Sequence, residues 1–137
     1  MQTEIWPADI SSLSAIQEFV EQICGRAGFS VEQTIQINIA IEELVVNIIS
    51  HGFEDPSGEV IEMEVDDEAD KLTLRLIDSG MPFDPITAKE ADTAASLEDR
   101  PIGGLGLTLV KNFTDQVDYK NENNQNILSL TILKKQN

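Results

Sequence analysis

The chain has 137 residues, and its 25 Asp and Glu against 9 Lys and Arg leave a formal net charge of −16 at pH 7. This length predicts a single domain over residues 1–137 with its own hydrophobic core. The acidic balance argues against direct nucleic-acid binding, because phosphate contacts depend on clustered Lys and Arg. One cysteine and one histidine exclude a disulfide framework and metal sites built from several such residues. We expect a soluble, cytoplasmic protein without membrane contact, since no apolar run reaches membrane-spanning length and the N-terminus lacks signal-peptide order.

The first predicted elements are a short strand and an amphipathic helix. Residues 3–6 favour a strand that stops at Pro7, because proline is poorly tolerated inside a sheet. A helix then begins at Ser11 or Ser12 and ends within residues 25–28, where two glycines occur. Its apolar residues recur at spacings of three and four, which predicts one buried face: Leu13, Ile16, Phe19, Val20 and Ile23.

The second predicted helix is the most apolar segment of the chain. Ser30 and Gln33 have the spacing of a capping box, and the helix is predicted to run to about Ser50, with Gly52 as its stop. Its apolar residues surround nearly the whole helix, which predicts burial on most sides: Ile35, Ile37, Ile39, Ile41, Leu44, Val45, Val46, Ile48 and Ile49.

Two strand pairs and a third helix follow. Residues 60–65 and 72–77 alternate apolar and polar, and the acidic segment between them predicts a hairpin. A long loop over residues 78–101, with a short helical piece at about 88–97, precedes a glycine-rich helix start at Gly103. Strands at about 117–120 and 127–133 flank an Asn-rich turn. This order predicts an α+β fold, a two-layer sandwich with helices on one face of a mixed, mainly antiparallel sheet.

A polar stripe runs along the otherwise apolar second helix. Gln36, Ala40, Glu43, Asn47 and His51 are separated by three or four residues and share one face. The stripe is either solvent-facing or turned toward a cleft. In a cleft, the Asn47 amide is suited to bind Mg²⁺, and the Glu43 carboxylate is suited to orient or deprotonate a nucleophile.

Two further segments contain candidate ligand-binding residues. Asp78 ends a predicted strand two residues before Gly80, an arrangement that presents a carboxylate or simply forms an Asx turn. The helix start from Gly103 has backbone N–H groups suited to phosphate oxygens, although glycines also mark ordinary flexible loop ends. The segment contains neither a Walker A sequence nor a Rossmann glycine pattern.

Together these segments resemble the N, G1 and G2 boxes of the GHKL ATP-binding superfamily. The matching motifs, in chain order, are Glu43-x-x-x-Asn47, Asp78-x-Gly80 and Gly104-x-Gly106. Within that superfamily, three longer runs are similar to the anti-sigma-factor serine/threonine kinases of bacterial partner-switching systems: Glu43-Leu-Val-Val-Asn47-Ile-Ile-Ser-His51-Gly-Phe53, Asp78-Ser-Gly-Met-Pro-Phe-Asp-Pro85 and Gly104-Leu-Gly-Leu-Thr-Leu-Val110. The similarity covers nearly the whole chain. One departure is Pro82, which occupies a position where many superfamily members have glycine.

The resemblance implies a Bergerat-type sandwich that binds ATP with Mg²⁺. On this sequence, Asn47 would bind Mg²⁺ and Asp78 would accept a hydrogen bond from the adenine amino group. Gly80 would let the purine approach. Glu43 would be the general base for a substrate serine hydroxyl. The remaining nucleotide-binding residues would be Gly103, Gly104, Gly106, Leu107 and Thr108.

The resemblance also implies partners: a sigma factor that is held inactive, and a STAS-domain antagonist protein phosphorylated on serine. A homodimer through the first helix is a further implied assembly. Two alternatives stay open, a non-catalytic nucleotide-binding module that sequesters its partner and the ATPase domain of a histidine-kinase-like system. For Arg100 and Lys111, a phosphate contact, solvation and partner binding all stay open. His51 is interpreted as structural or as a support of the site residues, not as a catalyst, and Cys24 is interpreted as core packing.

Overall fold

A computed structural model describes residues 1–55, 57–82 and 106–134, the backbone alone for residues 106–108. No helix in these ranges is long and apolar enough to cross a membrane. The elements, in chain order, are β1 (Gln2–Pro7), a 3-10 turn (Ile10–Ser12), α1 (Leu13–Ala27), α2 (Val31–His51), β2 (Val60–Asp67), β3 (Lys71–Asp78), α3 (Gly106–Phe113), β4 (Gln116–Glu122) and β5 (Gln125–Leu133).

The five described strands form one sheet in the order β1-β2-β3-β5-β4, and all four pairings are antiparallel. The β2–β3 hairpin closes through the Glu68 N–H, which donates to the Lys71 carbonyl at 2.9 Å. Strand β3 lies at the centre, and its last residue, Asp78, is paired with Asn126 of β5. The predicted α+β architecture is confirmed, and its strands extend by one or two residues beyond most of the predicted ends.

The hydrophobic core lies between the helices and one face of the sheet. Alternate residues of the inner strands point into it, which is the two-residue period of a sheet with one covered face. Each fully buried aliphatic side chain contributes about 1.5–3 kcal/mol relative to exposure. The largest fully buried side chains are Ile16, Ile37, Ile41, Leu44, Ile61, Met63, Leu72, Leu74, Leu76 and Leu130.

Helix α2 begins at the predicted capping box. The Gln33 N–H donates to Ser30 Oγ at 3.1 Å, and the Ser30 N–H donates to Gln33 Oε1 at 3.2 Å. The prediction of burial on most sides holds for the middle of the helix but is wrong for its beginning, where Val31 is 78% and Ile35 is 55% exposed. The reason is that α1 ends at Ala27 and the chain turns at Gly28, whose φ is 89°. The described elements therefore leave the outer side of the first turns of α2 uncovered.

Most of the predicted long loop lies outside the described residues. The structure does not describe residues 83–105, which include the expected short helix at 88–97, Arg100, Gly103 and Gly104. The predicted third helix is confirmed from Gly106 to Phe113, and it packs against α2. The predicted Asn-rich turn joins β4 to β5, with Asn123 and Asn124 at φ values of 54° and 62°.

Candidate functional site

Helix α2 carries two half-buried polar side chains that have no partner among the residues that the structure describes. Glu43 and Asn47 lie one helical turn apart. Among the residues that the structure describes, neither side chain forms a hydrogen bond or an ion pair. Removing such groups partly from water without a partner costs free energy, so their presence in an otherwise apolar helix indicates a use other than packing.

The C-terminal end of α2 is joined to the turn that follows β3. The Gly52 N–H donates to the Ile48 carbonyl at 2.9 Å and ends the helix, and the Gly52 carbonyl accepts the Met81 N–H at 2.8 Å. Gly80 approaches so closely that a Cβ on it would lie 2.4 Å from the Gly52 carbonyl oxygen. The glycine at position 80 is therefore required by the contact between the turn and the helix end.

Asp78 is almost fully buried, with 4% of its surface exposed. Its Oδ1 atom accepts two hydrogen bonds, from the Gly80 N–H at 2.9 Å and from Asn126 Nδ2 at 3.1 Å. Its Oδ2 atom accepts none from the described part of the chain. One carboxylate oxygen thus holds the local structure together, and the other retains its capacity to accept a hydrogen bond.

Asp78 and Asn47 line the same small cavity, of about 20 Å³. The cavity lies between the end of α2 and the β3 and β5 side of the sheet. Its volume is enough for about one water molecule. Its polar walls are the Asn47, Asp78 and Asn126 side chains, and Ile48, Gly52 and Met81 complete most of the lining.

Asn126 was not identified from the sequence, although it contributes more hydrogen bonds to this site than any other described side chain. Its Nδ2 lies 3.1 Å from Asp78 Oδ1, 3.3 Å from the Gly80 carbonyl oxygen and 3.0 Å from the Met81 carbonyl oxygen. Its Oδ1 accepts from the Tyr119 hydroxyl. The sequence shows a polar residue just before the last apolar strand. This signal does not indicate which residue lies opposite it on the neighbouring strand.

The remaining predicted site residues are placed as follows. Glu43 is on the same face of α2 as Asn47 but does not line the cavity. His51 is exposed at the end of α2. Gly106 is the first residue of α3, and the backbone of Leu107 and Thr108 follows in the first turn of that helix. The predicted core position of Cys24 is confirmed, since that residue is fully buried.

Three features define the class of the protein. They are the strand order of the antiparallel sheet, the helices packed on one face of that sheet, and a buried carboxylate at the end of the central strand beside the long helix. These belong to the GHKL-type sandwich. A family model described as "Histidine kinase-like ATPase domain" matches residues 6–132, and the chain belongs to that family.

Two curated relatives carry more specific names. The serine-protein kinase RsbW of Listeria monocytogenes is 36% identical over 99 residues, which are 69% of this chain and 63% of the relative. The anti-sigma F factor of Clostridium beijerinckii is 27% identical over 108 residues, 79% of this chain and 73% of the relative. The chain therefore spans slightly less than two thirds of the Listeria kinase.

Solved structures share the fold. The crystal structure of the RsbU and RsbW domains of a Mycobacterium tuberculosis protein matches with a TM-score of 0.62 at 16% identity. The match covers 99% of this chain and 34% of the other. At this identity the likeness concerns the backbone arrangement, which agrees with the two-layer architecture described above.

Proposed function

We propose that this chain is an ATP-dependent serine/threonine protein kinase and anti-sigma factor. It holds a sigma factor inactive and phosphorylates a STAS-domain antagonist protein on serine. The observation that carries the proposal is that one cavity is lined by both buried Asp78 and Asn47. Within the described residues, Asp78 Oδ2 accepts no hydrogen bond and the Asn47 amide forms none. The names of the Listeria and Clostridium relatives support the same activity.

Asp78 is the residue that recognises the base. Its Oδ2 is an unused hydrogen-bond acceptor on an almost fully buried residue, which suits the exocyclic amino group of adenine. The cavity of about 20 Å³ is smaller than a purine ring, so binding requires displacement of the Met81 side chain. Met81 is exposed and unbranched, and a flexible side chain of this kind moves at low cost. Gly80 lets the ring approach the backbone.

Asn47 is the proposed metal ligand. Mg²⁺ in nucleotide sites takes one or two protein oxygens and completes its octahedron with phosphates and water, so a single amide oxygen fits this chemistry. Bound ATP supplies the phosphoryl group that is transferred. The backbone N–H groups at the start of α3 have no acceptor in the helix itself and suit phosphate oxygens. The proposed phosphate-binding residues are Gly103, Gly104, Gly106, Leu107 and Thr108.

Glu43 is the proposed general base. Its carboxylate is half-buried and lies one turn before Asn47 on the same helix face, so it is held near the metal ligand while it forms no bond with the described residues. It takes the proton of the attacking serine hydroxyl, which is worth about 10²–10⁴ in rate. The net charge of −16 repels the negatively charged nucleotide at long range. The local contacts with the base, the metal and the phosphates must outweigh this repulsion.

The same acidic charge supports the proposed protein partner. A basic surface on a sigma factor is attracted by this charge, and complementary charge speeds the encounter.

We infer that residues 1–137 act as one nucleotide-binding domain, that the protein acts in the cytoplasm, and that it forms a homodimer through α1.

The kinase assay uses radiolabelled ATP, Mg²⁺ and a cognate STAS-domain protein. The test variant is Glu43→Gln and the matched control is Glu42→Gln, which removes the same charge from an exposed neighbour about 100° around the helix. We expect phosphoserine formation to fall by about 10²-fold or more in Glu43→Gln, with ATP affinity retained, and to be unchanged in the control.

Other outcomes of the assay distinguish the alternatives. Nucleotide binding without transfer by the unmodified protein would favour a sequestration module. Phosphohistidine, or hydrolysis without a protein product, would favour the ATPase domain of a histidine-kinase-like system. If Glu43→Gln and Glu42→Gln transfer the phosphoryl group at equal rates, Glu43 is not the general base.

A further inference from the structure

The Asn126 side chain connects three strands at the base-recognition cavity. It is 4% exposed and is paired across the sheet with Asp78 on β3 and with Asn121 on β4. Its Nδ2 contacts three oxygen atoms on the β3 side, and its Oδ1 accepts from the Tyr119 hydroxyl and from Asn121 Nδ2, the latter at 3.1 Å. A single amide thus joins β4 to the turn after β3.

The neighbours of this amide determine which way it points. On one side it faces Asp78 Oδ1 and the carbonyl oxygens of Gly80 and Met81, which are acceptors only. On the other side it faces the Tyr119 hydroxyl and the Asn121 amide nitrogen. A rotation by 180° would place the amide oxygen against three oxygens and its nitrogen against the Asn121 nitrogen. The three acceptors on the β3 side therefore keep Nδ2 directed at Asp78, and the Tyr119 and Asn121 donors hold Oδ1 on the other side.

The orientation of Asn126 decides which oxygen of Asp78 is available. Two donors, the Gly80 N–H and Asn126 Nδ2, converge on Oδ1. With Oδ1 held on both sides, rotation of the carboxylate about χ2 is restricted, and Oδ2 keeps one direction. Without Asn126, the carboxylate retains a single backbone donor, and the Gly80 and Met81 carbonyls lose their side-chain partner.

We propose that Asn126 is a positioning residue for base selection, and that Tyr119 acts through it by donating to its Oδ1 and anchoring the amide. This inference rests on the proposed function, since it assigns to Asn126 the alignment of the Asp78 oxygen that accepts the 6-amino group of adenine. Asn126 itself donates to the protein and contacts the base only through Asp78. The β4–β5 hairpin is thereby part of the selectivity machinery, although no residue of it was a candidate in the sequence.

The test compares ATP with purine riboside triphosphate, which lacks only the 6-amino group, by calorimetry on the full chain. A hydrogen bond to a charged acceptor gives the unmodified protein a preference for ATP of about 10- to 100-fold. We expect Asn126→Ala to reduce this preference about tenfold and Tyr119→Phe to reduce it about threefold. In the Asp78→Asn background, Asn126→Ala should cause no further change in the preference, because both act through one oxygen.

Asn38→Ala is the matched control. Asn38 is a half-buried amide on α2 that donates to the Gln17 carbonyl at 3.2 Å and lies away from the cavity. It should lower stability without changing the preference for ATP. Tyr119→Phe, which removes only one hydroxyl, keeps the test valid if Asn126→Ala fails to fold.

The outcomes separate the two proposals. If the unmodified protein prefers ATP and both the Asn126 and Tyr119 variants keep that preference, with weaker binding of both nucleotides alike, the residues are merely structural and the present inference is overturned while the proposed function stands. If the unmodified protein binds neither nucleotide, or binds both equally, the proposed base recognition by Asp78 fails, and the inference falls with it.

Discussion

The backbone of Gly80 packs directly against the carbonyl group of Gly52, so that a Cβ at position 80 would lie 2.4 Å from the Gly52 oxygen. The neighbouring hydrogen bond from the Met81 N–H to the same oxygen, at 2.8 Å, fixes this approach. The end of α2 and the turn after β3 therefore form one unit, and this unit places Asp78 beside Asn47.

Replacing Gly80 with alanine should destabilise the protein. The new methyl group meets backbone rather than a flexible side chain, so the turn or the helix end must move, at a cost of about 1–3 kcal/mol in the free energy of unfolding. Urea denaturation followed by circular dichroism measures the change. The control is Gly25→Ala, where nothing lies within 4 Å of the added Cβ. In helix α1 this substitution should stabilise by about 0.5–1 kcal/mol, and equal effects of the two variants would contradict the packing argument.

Replacing Asp78 with asparagine should weaken ATP binding while the fold is retained. The amide can keep an oxygen at the Oδ1 position, where the Gly80 N–H and Asn126 Nδ2 donate, but it presents N–H groups in place of Oδ2. The lost charged acceptor lowers ATP affinity by about 10- to 100-fold, as measured by calorimetry. Asp70→Asn makes the same charge change at an exposed turn and should leave the affinity unaltered.

The turn between β4 and β5 makes a separate prediction about stability. Asn123 and Asn124 both have positive φ, 54° and 62°, a conformation that asparagine and glycine tolerate and β-branched residues do not. Asn124→Gly should leave stability unchanged or raise it. Asn124→Val should lower the free energy of unfolding by about 1–2 kcal/mol. Thermal denaturation of the two variants tests this, and a valine variant as stable as the glycine variant would contradict the turn assignment.

The buried thiol of Cys24 should make the free energy of unfolding fall at high pH. Burial raises the pKa of its thiol from 9.0 to about 11, with a smaller opposing effect of the Thr34 side chain. The folded state thus holds the proton more tightly than the unfolded state. The corresponding stability is fully present below pH 9, where the thiol is protonated in both states, and is lost as pH rises through 11.

The measurement is the free energy of unfolding at several pH values between 8 and about 11. The unmodified protein should lose about 2 kcal/mol more across this range than Cys24→Ala, which lacks the titrating group. Parallel pH profiles for the two proteins would show that the thiol is not held neutral by burial. Alkylation of the native thiol at pH 8 should likewise be much slower than in urea.

Much of the secondary structure could be predicted because its signals are local. The capping box at Ser30 and the stop at Gly52 determine the ends of α2 through contacts within four residues. The alternation in β2 and β3 and the acidic turn between them likewise determine a hairpin without reference to the rest of the chain. The motifs that contain Asn47 and Asp78 predicted a candidate site, since both belong to patterns of a few residues.

The contacts between distant segments depend on how the elements pack together, and local patterns do not specify them. Asn126 lies 48 positions after Asp78, and their contact depends on the β3–β5 register. A shift of that register by one residue would turn Asn126 to the opposite face of the sheet. Likewise, Ile35 is as apolar as the buried Ile41 but is 55% exposed, and this difference depends on where the other elements pack against α2. Local signals specify an element and its ends, whereas core packing sets the register, and the register selects the residues that meet at the cavity.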